Sequence, residues 1–494
     1  MNFNFLSLMV FLPLVGVMGI ALIPRLSSRA VKYLALAFTL AVLAIALLLF
    51  FRFDRSVSGI QFEEVYSWIP ALNAHYHLGV DGISLPLVVL TSLLGFIAVL
   101  VSWKVENRTR EFFIWLLILE SSILGVFCSL DMLLFFMFWE IEVVPMYFLI
   151  SIWGSGRKHY SATKYVIYTL AGSALMLAGI VSLYYATGSL DMVALAQSGY
   201  ATVQSVLPAT PIFFLLLAGF AVKLPVFPLH TWLPDAHTDA PTAASVFLAG
   251  ALIKMGGYGM IRLCVSIFPP VARQYAPIML GLAVIGVVYG GAITLRQTDI
   301  KRLIAYSSIS HMGFVLLGIF ALSQTSLVGA SLQMVSHGLI TGLLFAVAGI
   351  IMHNTHERDI SKMGGLARQM PAAASFFILG GLGALGLPST SGFAAEFTTF
   401  LGSFTSAEVG GVKIYVLIAL LGVLLAAAYV LWLIQRVFFG PVLPVFNEAK
   451  DADKLQKFYC GVFVGLIFLI GMYPSSLISI IQNSAAGIIK LLGG

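Results

Sequence analysis

The chain has 494 residues, 60% of them hydrophobic and 10% charged, where a soluble domain is about half apolar and a quarter charged; this composition excludes a soluble enzyme and defines a polytopic membrane protein. The net charge of +6 reads as topology information and not as a nucleic-acid footprint. The three cysteines, Cys128, Cys264 and Cys460, lie far apart in or beside apolar runs. That spacing speaks against metal, iron–sulfur or disulfide chemistry within the chain, and no glycine-rich nucleotide fingerprint is present.

Apolar windows predict about fourteen transmembrane helices, each needing about 20 residues to cross a bilayer. They fall near 3–23, 30–51, 82–102, 112–129, 131–152, 161–186, 211–233, 243–267, 276–295, 301–321, 326–352, 372–405, 412–438 and 458–480. The first run has no basic residue before it and no convincing cleavage site, so it reads as a retained helix. Residues 53–81 form a long polar and aromatic loop, and 187–210 and 440–457 form two further long connections. Most of the 27 basic residues lie in loops after odd-numbered helices, among them Arg25, Arg29 and Lys32, then Arg296, Lys301 and Arg302. The positive-inside rule then places both termini on the non-cytoplasmic side.

The middle of the chain looks duplicated. Helices four to eight cover about 112–267 and helices nine to thirteen about 276–438. Five helices per unit is an odd number, so the second copy is expected to be inverted. The fourth helix of each unit is interrupted, at Lys223-Leu-Pro225 and at Leu385-Gly-Leu-Pro-Ser-Thr-Ser-Gly392. Paired broken helices in an inverted repeat point to a transport site. The expected regions are an N-terminal three-helix region (residues 1–110), the repeats (111–270 and 271–440) and a C-terminal helix region (441–494).

Ionisable residues inside apolar helices are costly and mark ion paths by default. Glu140 follows a run of apolar and aromatic residues and precedes Pro145. Lys223, beside the Pro225 break, is its natural partner. Glu142 lies about 200° further round a helix and is expected to face another surface. Lys254 is a second mid-membrane lysine among glycines. His311 and His337 sit in hydroxyl-rich segments, where histidine can pass protons in either direction; zinc is a poor reading because neither has a second ligand at i+4. Glu396 follows the second break. The blander readings are a packing ion pair, a snorkelling lysine, satisfied core histidines and a capping carboxylate. Asp131 reads as a helix cap, and Glu120 as facing a neighbouring chain. His230, Asp235, His237 and Asp239 read equally as a water-filled mouth or as loop structure. Singly these signals are weak; together they form a carboxylate, lysine, lysine, histidine, histidine, carboxylate series of the kind proton relays use.

These residues carry a family resemblance. Phe138-Trp-Glu140 with Pro145-Met-Tyr147, Lys223-Leu-Pro-Val-Phe-Pro-Leu-His-Thr-Trp-Leu-Pro-Asp-Ala-His237, Lys254-Met-Gly-Gly-Tyr-Gly259, Ala305-Tyr-Ser-Ser-Ile-Ser-His-Met-Gly313 and Ser336-His-Gly338 resemble the antiporter-like subunits of respiratory complex I, over nearly the whole chain. The resemblance implies a fourteen-helix fold with two inverted five-helix repeats, in a membrane arm beside sister subunits that include other antiporter-like ones. It implies proton translocation coupled to quinone reduction, with NADH, FMN, iron–sulfur clusters and quinone in other subunits. Glu140 and Lys223 would form the first half-channel pair, Lys254 the connecting lysine, His311 and His337 the central axis, and Glu396 the exit residue. Related antiporter-like subunits, Mrp-type cation/proton antiporters included, usually carry lysine in the broken twelfth helix. Glu396 therefore resembles the M-type, or chain 4, branch, and the long lateral helix of the L-type branch is missing. Asp239-Ala-Pro-Thr-Ala-Ala-Ser245 looks bacterial, which implies the bacterial inner membrane, with the cyanobacterial and plastid chain 4 as the near alternative.

Overall fold

The computed structural model describes residues 4–493. Among them thirteen helices are long and apolar enough to cross a membrane. In chain order these are α1 (Phe5–Leu22), α2 (Ser28–Arg52), α3 (Ser84–Val101), α4 (Thr109–Cys128), α5 (Met132–Trp153) and α6 (Lys158–Thr187). An amphipathic α7 (Met192–Val206) follows, then a helix broken into α8 (Ala209–Lys223) and α9 (Trp232–Asp239). Next come α10 (Thr242–Val265), α11 (Pro269–Thr294), α12 (Ile300–Phe320) and α13 (Gln324–Thr355). A second broken helix consists of α14 (Pro371–Ala384) and α15 (Ser391–Phe404). The chain closes with α16 (Val412–Phe438), α17 (Lys454–Met472) and α18 (Ser475–Gly493). The two broken helices fall where the sequence places them, because Pro225 cannot donate to the helix ladder and Gly386 adopts a left-handed φ of +72°.

Three expectations are corrected. The 53–81 connection contains an antiparallel hairpin, β1 (Gln61–Ile69) and β2 (Ala74–Val80), with Tyr66 opposite Tyr76. The 187–210 connection holds α7, capped by Asp191 on the amides of Val193 and Ala194. The last predicted helix is cut at Tyr473-Pro474, and α18 starts anew. Its side chains and backbone meet Arg55, Gly82, Arg273 and Gln324. All four sit at or beside helix ends, so α18 lies across one end of the bundle. Without α18, and counting each broken helix once, the crossings number fourteen, as the sequence predicts.

The hairpin anchors the start of the chain. Glu64 accepts from the amides of Leu6 (2.8 Å) and Ser7, and from the Ser7 hydroxyl. The cap position Asn4 makes no such bond itself, so the hairpin carboxylate satisfies α1's free amides and its positive end.

Burial separates a core from a rim. The apolar 18-residue stretches of α10, α12 and α13 are 100%, 94% and 94% buried, while those of α1, α2 and α16 are near a third. Glycine permits the tight centre. A methyl group on Gly250 would collide with Leu94, and one on Gly338 would meet the Gly250 carbonyl at 2.7 Å. The two five-helix groups share one device. Asp131 and Asp191 form an isolated antiparallel bridge, and Asp299 and Asp359 form another. In each group the first aspartate caps the second helix and the second follows the third helix.

Candidate functional site: a buried line of ionisable side chains

The first station is Lys223, the last residue of α8, 1% exposed. Its ammonium pairs with Oε1 of Glu142, and Tyr165 of α6 donates to Glu142 Oε2 at 2.7 Å. The rings of Trp139 and Tyr165 lie 5.5 and 5.3 Å from the lysine nitrogen. The expected Glu140–Lys223 pair is therefore not the one formed. Glu140 and Glu142 do face different ways, as helix geometry requires; it is Glu142 that turns inward. The helical segments on either side of Glu142 meet at a turn. Glu140 is half-buried beside an outward-opening groove of about 430 Å³, with Val144, Tyr147, Thr163 and Leu170.

The second station is Lys254 in α10, fully buried between π-helical turns at Leu248–Leu252 and Met260–Val265. Such turns leave carbonyls free of regular pairing, and Lys254 donates to one of them, Ala249 O. On its other side the ammonium lies 2.7 Å from His337 Nδ1. The His337 and His311 rings are 5.6 Å apart between centroids. His311 Nδ1 is 3.2 Å from Glu396 Oε1, and Tyr429 OH is 3.3 Å from His311 Nε2. Glu396 is held at the second break: a methyl group on Gly386 would stand 2.8 Å from its Oε2. Four of the six site residues expected from sequence thus form one line, Lys254–His337–His311–Glu396, carried by α10, α13, α12 and α15. Among the described residues no direct contact joins Lys223 to it, although α8 and α10 touch where a methyl group on Gly256 would meet Phe220 O and Leu224 N at 2.6 Å.

The polar residues past the first break are largely pinned. Asp235 pairs with Lys164 at 2.7 Å and with Arg302 at 3.5 Å. Asp239 accepts from Ser161 at 2.6 Å and stands 4.0 Å from Arg358, which pairs with Asp299 at 2.9 Å. His237 stacks flat on Phe345 at 4.7 Å, and His230 packs on Phe227 and Tyr289. Asp131 caps α5 through the amides of Leu133 and Leu134, as its position predicts. Glu120 does not face outward: it is fully buried, its carboxyl pressed against Gly95. Sequence reasoning missed Tyr165, Tyr429 and Gln333, neutral residues with no signal in an apolar helix.

Buried lysines, histidines and carboxylates in contact, threaded through a nearly all-helical membrane fold with two broken helices, are the arrangement an ion-transporting membrane subunit needs. The family model described as "NADH:quinone oxidoreductase/Mrp antiporter, TM" matches residues 129–425. NADH-quinone oxidoreductase subunit M of Rhodobacter capsulatus is 41% identical, over 99% of this chain and 96% of its own. An NAD(P)H-quinone oxidoreductase chain 4 of a Synechococcus strain is 43% identical, over 96% and 90%. Among solved structures, a chain of respiratory complex I from Thermus thermophilus with bound NADH superposes with a TM-score of 0.88 at 27% identity, covering 99% of this chain and 100% of that one. A chain of the Mrp complex from Dietzia shares the fold, with a TM-score of 0.85 at 19% identity. The chain belongs to the NADH:quinone oxidoreductase/Mrp antiporter family, in its subunit M, or chain 4, branch.

Proposed function

We propose that this chain is a proton-translocating membrane-arm subunit of an NADH:quinone oxidoreductase, set beside sister antiporter-like subunits in the bacterial cytoplasmic membrane. NADH oxidation and quinone reduction, with FMN and iron–sulfur clusters, belong to other subunits. Both termini lie on the non-cytoplasmic side, and residues 111–270 and 271–440 are inverted repeats between a 1–110 and a 441–494 region. The paired aspartate bridges and the break in the fourth helix of each group support that reading.

The observation that carries the function is the alignment of two buried close pairs, Lys254–His337 at 2.7 Å and His311–Glu396 at 3.2 Å, with the two histidine rings 5.6 Å apart between centroids. Lys223 is the loading station. Its pair with Glu142 holds a buried charge; separating the two leaves that charge without a counter-ion, and passing the proton on relieves it. Lys254 receives the proton, the histidines relay it, and Glu396 delivers it. Glu140, at the outward groove, is the carboxylate through which a neighbouring subunit acts on α5. In the purified complex, sealed in vesicles, Lys254→Met should remove most of the proton pumping driven by NADH oxidation. Pumping at the unaltered rate would sink the assignment.

A further inference from the structure

The line is interrupted between His337 and His311, whose rings approach to 5.6 Å with no hydrogen bond between them. His311 has both nitrogens engaged, by Glu396 and Tyr429. His337 uses Nδ1 toward Lys254, and its Nε2 is buried with no partner among the described residues. One turn earlier on α13, Gln333 is 2% exposed, and its Oε1 is likewise buried with no partner among them. Both side chains line one small cavity of about 10 Å³, together with Ser307, His311, Thr341 and Glu396.

Two unpartnered polar atoms, one able to donate and one able only to accept, cost free energy in an apolar core unless something joins them. A space of about 10–15 Å³ takes one water, which needs two to four polar partners. When Lys254 donates to His337 Nδ1, the neutral imidazole carries its proton on Nε2. That proton points at an acceptor, and Gln333 Oε1 needs a donor. The remaining water hydrogen and lone pair are left for the Glu396 side of the cavity.

We propose that Gln333 and His337 hold a single ordered water that joins the Lys254–His337 pair to the His311–Glu396 pair, and that Gln333 is a positioning residue for proton transfer. Transfer is balanced: Lys254 gives a proton to His337 Nδ1 as the water takes the one on His337 Nε2, and the water releases one of its own to the Glu396 carboxylate, so that Lys254 ends neutral, Glu396 ends protonated, the imidazole and the water keep their charge, and Gln333 gains and loses nothing. Gln333 fixes the orientation in which that exchange is aligned. The inference rests on the relay reading above.

The intact complex tests it in two ways. A cryo-EM map that resolves waters should show one density peak within hydrogen-bond distance of Gln333 and His337; a dry cavity overturns the proposal. Gln333→Met keeps the side-chain length and removes the acceptor, and should slow pumping about three- to tenfold, the scale of one lost hydrogen bond, with a larger solvent deuterium effect. Gln333→Glu, which keeps Oε1, should restore most of the rate. Gln333→Met complexes that assemble and pump with unaltered rate and isotope effect overturn the proposal. Lys254→Met separates the two claims: if it too pumps normally the relay reading fails, whereas if it alone is impaired only the bridging water fails.

Discussion

At the level of single residues, the informative contrast is Glu140 against Glu142. Both stand in one apolar stretch, and helix geometry says they face opposite ways. It does not say which face meets α8, because that depends on how α5 packs. Glu142 won the inner side, with Tyr165 completing its second oxygen. Removing one partner of a buried pair costs about 3–5 kcal/mol, because the other charge is stranded, while replacing both partners is far milder. Glu142→Leu should therefore lower the melting temperature of the purified complex, and Glu142→Leu with Lys223→Met should recover most of that loss. Glu140→Gln should leave melting unchanged and still reduce pumping. A destabilised Glu140→Gln beside a stable Glu142→Leu would mean the inner and outer carboxylates are exchanged. Lys223, Lys254, His311, His337 and Glu396 were legible because a charged or titratable group in an apolar helix is conspicuous. Tyr165, Tyr429 and Gln333 were not, because a neutral polar side chain in such a helix has no signature until its neighbours are known.

At the level of elements, the broken helices were readable from Pro225 and from the glycine-rich run ending at Gly392, since backbone chemistry dictates them locally. The hairpin was not. β1 is largely exposed and shows no clean alternation of buried and exposed residues, and what defines the hairpin is partners distant in sequence. His77 is the clearest. It lies 2.7 Å from Glu63 and 3.4 Å from Asp191, tying the hairpin to the start of α7. Burial disfavours its charged form, but the Asp191 and Glu63 carboxylates outweigh that and hold its pKa above the ordinary histidine value. Asp191 moves the other way: burial raises it, but the His77 contact and the amides of Ala194 and Val193 leave it below the usual carboxylate range. A raised histidine stabilises the fold fully below its unfolded pKa of about 6.5 and loses that contribution as pH rises through its folded value. A depressed aspartate contributes above about 4 and is lost on acidification. The clasp is thus strongest between about pH 4 and 6.5. Proteolysis of the hairpin should accelerate as the pH rises above about 6.5, and His77→Asn should flatten that dependence. An unchanged pH profile in the variant would show that other groups set it.

At the level of the whole molecule, topology follows from what α18 does. By length and composition it qualifies as a crossing, and a fifteenth crossing would put the two ends of the chain on opposite sides of the membrane. Its hydrogen bonds support the other reading, the one proposed above. Ser479, Gln482, Asn483, Ser484 and Leu492 meet Arg55, Gly82, Arg273 and Gln324, and all four of these stand at or next to helix ends. A helix that passed through the bilayer would meet mid-helix residues along its length. One whose hydrogen bonds go only to ends lies across the face of the bundle, its polar residues toward those ends. On the proposed topology the count stays even, and both ends emerge on one face, the same face as the hairpin that caps α1. The same proposal puts the loops rich in lysine and arginine on the opposite face, which the positive-inside rule assigns to the cytoplasm. Single cysteines introduced at Asn4 and near Gly493, in a chain with its three buried cysteines replaced, should both react with a membrane-impermeant maleimide from outside intact cells. A cysteine at Arg157, in a basic loop, should react only after the membrane is opened. Labelling of one terminus without the other would mean that α18 crosses after all. Protection of both would mean that the charge asymmetry has been read with the wrong sign.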